Sequence, residues 1–289
     1  KVALIERGDL AFTEKIINAQ KAGACGVVMF NTSAGGEALI NMATEGSITI
    51  PAIFVGNKAG AEATKRLKNK EDVKFKFTGD TISGENPNSG DYDDSTSWGT
   101  APNLDFKPQI AGPGGNIFST VNNNRYETMS GTSMSAPHVS GGMALILESI
   151  KEYDKDLKGR ELVDYAKNVA MNTSVVKNDK GGVPFSPRRQ GAGLIQISDA
   201  IKNKVTATYN GVGSVALKEI QGKNISFTID LNNHGDKDVT YSLDKIGGVL
   251  SQEDKDASGE MARDIILSKD DADITFDKKE VTVKAKGTE

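Results

Sequence analysis

GTSMSAPHVSG, residues 131–141, combines a glycine turn, a hydroxyl side chain and the opening of an apolar helix. Downstream of it Val139, Met143, Ile146, Leu147 and Ile150 recur at helical spacing and make one continuous apolar stripe. This pattern predicts a buried amphipathic helix that starts near Ser133. Pro137 fits a first turn, where the N–H it lacks has no partner to lose. Ser133, Ser135, Ala136, Gly141 and Gly142 are small and leave room for another chain to come close to the backbone. A serine placed here faces unpaired N–H groups and the positive end of the helix dipole, which stabilise negative charge on a nearby oxygen. The letters GTS alone would better describe a cap on a helix packed in a core.

The longer string separates the two readings. It resembles the serine signature of the subtilisin-like proteases almost letter for letter, with Ser133 in the nucleophile's place. The likeness continues upstream through IFSTV (117–121), KPQIAGPG (107–114) and TSWG (96–99), and downstream through QGAGLIQISDAI (190–201), always in the family's order. It implies that Met129, Ser130 and Gly131 contact substrate, the first two on the leaving-group side of a cleft. It also implies a mechanism: Ser133 attacks a peptide carbonyl, an upstream histidine acts as base and then acid, and the Ser133 N–H helps hold the oxyanion. No cofactor enters that chemistry. Structural calcium is common in the family, with no ligand assignable by resemblance.

The rest of the catalytic set is not evident in the 289 residues, which hold only two histidines. His138 follows Ser133 by five positions on one helix, about 140° round the axis and about 7.5 Å along it, out of reach of the hydroxyl; it is assigned a packing role. His234, in NNHGD, reads as a surface turn. The family's Asp-Gly and His-Gly-Thr segments and its oxyanion asparagine are missing. Together with a start directly on the strand pattern KVALIERG and an end just after another strand, this reads as a piece of a longer polypeptide, inactive alone.

Composition narrows the remaining classes. The chain is 37% hydrophobic and 26% charged with a net charge of −4, ordinary for a folded protein, and it has no basic stripe for nucleic acid. No apolar run reaches the length of a membrane span. One cysteine, Cys25, excludes an internal disulfide; its apolar neighbourhood GACGVVMF predicts a buried thiol. Asp91, Asp93 and Asp94 in DYDDS offer oxygens to a hard cation but lack the glycine and terminal glutamate of an EF-hand loop, so a solvated acidic turn is favoured. GPGGN (112–116) precedes a strand pattern rather than a helix, which rules out a phosphate loop. Arg188 and Arg189 read as a loop brace.

Three regions follow. Residues 1–77 alternate strand and helix patterns: VALI, a helix through Phe12, Ile16 and Ala19, GVVMFN, IPAIFVG, a helix in AGAEATKRLKN, and the strand VKFKF. VALIERG, EKIINAQKAGA, GVVMFN and IPAIFV resemble the protease-associated domain, often inserted in peptidases, which implies either a role in substrate access or a spacer. Residues 78–203 begin with the loop GENPNSGDYDDS and continue as the subtilisin-like segment, with a helix through Leu162, Tyr165, Ala166 and Val169 and a last short helix capped by Ser198. Residues 204–289 alternate in VTATYN, SVALKEI, ISFTIDLNN, VTYSLD and ITFDKKEVTVKAKG, a β-sandwich pattern that looks like the fibronectin type III-like domain of lactocepin-type cell-envelope proteinases. The fold class is α/β: part of a subtilisin-like parallel-sheet domain, a small α/β protease-associated domain and a C-terminal β-sandwich. The resemblance implies a secreted or cell-wall-associated endopeptidase of a Gram-positive bacterium, acting on protein or peptide substrates and completed by its own upstream part. A non-catalytic surface or adhesion scaffold keeping the same fold is the other reading.

Overall fold

The computed structural model describes residues 1–40, 42, 44, 47–76, 89–93, 95–179, 181–244, 248–252 and 264–289. The chain divides into two units, Lys1–Asp91 with Phe118–Met129, and Tyr92–Ile117 with Ser130–Glu289.

In the first unit β1 (Val2–Glu6), β2 (Gly26–Phe30) and β3 (Ala52–Val55) form a parallel sheet in the order β1-β2-β3, with Val2 opposite Gly26 and Val27 opposite Ala52. GVVMF is buried along its whole length, as its unbroken apolar run requires of a central parallel strand. Helix α1 (Phe12–Lys21) is the crossover from β1 to β2, and α2 (Asn57–Lys68) follows β3 and packs back on β2. Ile16 of α1 packs with Val27 and Met29, and the rings of Phe12 and Phe54 meet edge to face. Val73–Lys76, expected as a strand, pairs with nothing among the described residues and leaves Phe75 exposed; alternation alone makes no strand without a partner edge. Strands β4 (Ile117–Val121) and β5 (Arg125–Met129) pair as a two-stranded sheet around Asn123 and Asn124, both in left-handed conformation.

The second unit is built on α3 (Thr132–Tyr153), packed against α4 (Gly159–Asn172) and α6 (Ile197–Lys202). Ile146 and Ile150 of α3 interlock with Leu162, Tyr165, Ala166 and Val169 of α4, while Met143 and Leu147 cover the rim. The expected stripes are thus the observed faces. The short α5 (Pro187–Gln190) is capped by Ser186, whose hydroxyl accepts from the Arg188 N–H. α6 departs from expectation: its N-cap is Gln196, with no side-chain cap, and Ser198 already lies inside the helix. Between α5 and α6, Ala111 is held in a short parallel ladder, its N–H donating to the Gly193 carbonyl and its carbonyl accepting from Ile195. This ladder fixes the start of the segment that reaches the serine turn.

The C-terminal β region consists of antiparallel pairs: β6 (Val205–Thr208) with β7 (Asp230–Asn233), β8 (Val239–Ser242) with β11 (Glu280–Val283), and β9 (Leu250–Gln252) with β10 (Asp264–Ile266). SVALKEI and ITFD, read as strands, belong to no strand among the described residues, with Lys218 in left-handed conformation, and only the second half of ISFTIDLNN pairs as β7. β6 lies against α4: Asn168 of α4 donates to the Gly211 carbonyl and accepts from the Gly213 N–H, and Asn172 accepts from the Ala207 N–H.

Candidate active site

Gly131 is the hinge of the serine turn. Its φ of 150° and ψ of 170° suit a residue without Cβ, and they let its carbonyl accept from the N–H groups of both Met134 and Ser135, at 3.0 and 3.2 Å. The N–H groups of Thr132 and Ser133 find no acceptor among the described residues. Ser133 itself is exposed, and its hydroxyl makes no hydrogen bond there either. A free hydroxyl therefore sits beside two open backbone donors at the N-terminus of a 22-residue helix. Pro137 is the sixth residue of α3 rather than part of its first turn, so the amide that would return to the Ser133 carbonyl, four residues back, is missing.

The segment Gly112–Asn116 braces this turn from both flanks. The Gly131 N–H donates to the Gly114 carbonyl at 2.9 Å. The Ser135 hydroxyl donates to the Gly112 carbonyl at 2.7 Å, and the Asn116 N–H donates to the Ser130 hydroxyl at 2.8 Å. The approach is close: a Cβ on Gly114 would stand 2.8 Å from the Gly131 carbonyl oxygen and 3.0 Å from the Ser135 Cβ. Ser130, Gly131 and Ser133 thus share one turn, with the Ser130 hydroxyl already engaged by Asn116. Met129, the half-buried last residue of β5, precedes them in the chain. Gly112, Gly114, Asn116 and Ser135 were not singled out for this role by their sequence. The signal was the glycine-dense GPGGN, which the phosphate-loop test dismissed without assigning it another use.

The subtilase family model matches residues 11–193, and a fibronectin type III-like model matches 215–289. The chain belongs to the subtilase family. Among curated relatives, a PII-type proteinase of Lactococcus lactis subsp. cremoris is 36% identical over 262 residues, covering 84% of this chain and 14% of the relative. A C5a peptidase of Streptococcus pyogenes serotype M3 is 34% identical over 257 residues, covering 86% of this chain and 21% of the relative. This subtilase chain therefore spans about a seventh of the lactococcal relative's length and about a fifth of the streptococcal one's. Among solved structures the prenylagaramide maturation protease PagA is a remote neighbour, with a TM-score of 0.32 and 19% identity over 66% of each chain.

Neither histidine of the subtilase chain serves Ser133. His138 lies exposed on α3 rather than packed. His234 is not a free surface turn: its Nδ1 lies 2.9 Å from Asp154 Oδ2, and its ring leans on Tyr165 at 4.3 Å between centroids. Asp154 is the C-cap of α3, roughly 30 Å of helix away from Ser133. The His234 hydrogen bond, aided by the Asp156 and Leu157 N–H groups and opposed by partial burial, holds the Asp154 carboxyl below the usual carboxylate range. Burial raises the Tyr165 hydroxyl strongly, helped by its hydrogen bond with Tyr153.

The other candidates are structural. Arg189 donates to the carbonyls of Tyr92 and Asp93 and lies over the Tyr92, Trp98 and Phe185 rings, the brace its sequence suggested; burial pushes the Tyr92 hydroxyl up to about 12 despite Arg189. Cys25 is exposed, not buried: it occupies the turn before β2, and the buried run begins one residue later at Gly26. For a hard cation the fit is poor. Asp93 Oδ1 is occupied by the Ser95 N–H and hydroxyl, and no group of three or more His, Cys, Asp or Glu side chains gathers among the described residues. Asp94 and the preceding GENPN lie outside the described residues. No helix among them is long and apolar enough to cross a membrane.

Proposed function

We propose that this chain carries the nucleophile of a serine endopeptidase. The observation that carries the reading is the exposed Ser133 hydroxyl flanked by the N–H groups of Thr132 and Ser133, which find no acceptor among the described residues. Ser133 Oγ attacks the carbonyl carbon of a peptide bond while a base takes its proton. The carbonyl oxygen becomes an oxyanion that the Ser133 N–H stabilises, the amine leaves with a proton from the same group, and water then hydrolyses the acyl ester. A serine hydroxyl needs that base at neutral pH, and neither His138 nor His234 can provide it. The base, the aspartate that orients it and a side-chain oxyanion donor come from polypeptide outside these 289 residues, so the chain alone hydrolyses nothing. The relatives' names as proteinases and peptidases support the reading.

Met129, Ser130 and Gly131 contact substrate through the strand and turn that carry them, the first two on the leaving-group side. Residues 1–77 act as a protease-associated insert, and the protein works outside the cell or on the wall of a Gram-positive bacterium, on protein or peptide substrates. The test is digestion of a protein substrate by the full-length polypeptide and by its Ser133→Ala variant. Loss of about 10⁶-fold in kcat on substitution is expected, leaving only the residual rate of a site without its nucleophile. A variant as fast as the wild type would remove Ser133 from the chemistry.

A further inference from the structure

Two open N–H groups serve an oxyanion only if they are held in place, and in the first turn of α3 the helix's own ladder cannot hold them. The carbonyls that would receive them would precede the helix. What fixes the turn is the Gly112–Asn116 segment, anchored through the Ala111 ladder to Gly193 and Ile195. Its hydrogen bonds straddle the nucleophile: Gly131 and Ser130 are tied on the N-terminal side, at 2.9 and 2.8 Å, and Ser135 on the C-terminal side, at 2.7 Å. Among these only the Ser135 bond is made by a hydroxyl inside the helix. Ser135 is part-buried, two positions beyond Ser133, and its neighbour across the bond, Gly112, would bring a Cβ within 3.0 Å of the Ser135 hydroxyl.

We propose that Ser135 is a positioning residue for the acylation step: its hydroxyl, donating to the Gly112 carbonyl, fixes the first turn of α3 so that the Ser133 oxygen and the Thr132 and Ser133 N–H groups keep one orientation. The proposal deepens the proteolytic reading above and rests on it. Ser135 never touches the substrate. Its loss lets the turn rotate while Gly131 and Ser130 remain tied, and small displacements of a nucleophile reduce rate more than binding.

The test uses the full-length polypeptide, with rates expressed per amount of folded protein measured by near-ultraviolet circular dichroism. Ser135→Ala is expected to slow acylation of Ser133 by a fluorophosphonate, and kcat for a peptide substrate, by about tenfold or more with KM unchanged. Ser135→Thr keeps the hydroxyl and is expected to recover most of both rates. Unchanged rates per folded molecule, a rise in KM at constant kcat, or equal losses in the alanine and threonine variants would each overturn the proposal. If the alanine variant does not fold, Ser135→Cys, similar in shape with a weaker hydrogen bond, is judged by the same criteria. A wild-type protein that takes no label overturns the proteolytic reading along with the proposal, and is told apart because the failure precedes any substitution.

Discussion

Gly131 shows how one residue without a side chain sets the geometry around Ser133. Its backbone sits where other residues are strained, and its N–H and carbonyl are both committed, one to Gly114 and the other to Met134 and Ser135. Space is not the obstacle, since a Cβ there would have nothing closer than 3.9 Å. Gly131→Ala should therefore cost about 1–3 kcal/mol through backbone strain alone, seen as a lower thermal midpoint, together with slower fluorophosphonate labelling. A variant as stable as the wild type would mean that the turn has another accessible conformation. The serine turn and the start of α3 were legible in the sequence because the stretch GTSMSAPHVSG agrees almost letter for letter with one signature. Ser135's bond to Gly112 was not, because 23 positions separate the partners and a Ser–carbonyl pair leaves no periodic trace.

At the scale of elements, periodicity succeeded where a buried face lies against a partner. The α3 and α4 stripes, the unbroken GVVMF and the helices flanking it all follow from which side chains must leave water. Ile146, fully buried between α3 and α4, tests this directly. Ile146→Ala should destabilise the protein by about 2–5 kcal/mol in denaturant unfolding; a change below about 1 kcal/mol would place the core elsewhere. Alternation failed where pairing decides. Val73–Lys76 and SVALKEI have the pattern of strands but pair in no ladder among the described residues, whereas Leu250–Gln252 and Asp264–Ile266, too short to announce themselves, pair with each other. Cys25 was misplaced for a related reason: an apolar run says which strand is buried, not at which residue the chain enters the core.

For the whole molecule, the C-terminal β region is joined to the helices by side chains that periodicity assigned to surface turns or left aside. Asn168 and Asn172 satisfy the peptide groups of Ala207, Gly211 and Gly213, Asp264 accepts from the Ser186 N–H, and His234 closes on Asp154 with Tyr165 beneath it. The last pair carries a pH signature. Because Asp154 has a lowered carboxyl pKa in the folded state, its contribution is complete above the ordinary carboxylate value of about 3.9 and is lost as the pH falls through the lower folded value. Asp154→Asn should then lower stability by on the order of 1 kcal/mol at pH 5–7, with the difference from wild type shrinking below about pH 4. Thermal unfolding of both proteins across falling pH measures it, and a difference that does not shrink as the pH drops below the ordinary carboxylate range would contradict the assignment.

The most direct measurement is to treat the full-length polypeptide with a fluorophosphonate and locate the adduct by mass spectrometry of its peptides. One phosphonyl group on Ser133, absent from the Ser133→Ala variant, is the predicted result. An unlabelled protein under conditions that modify a reference subtilisin, or an adduct on another serine, would contradict it.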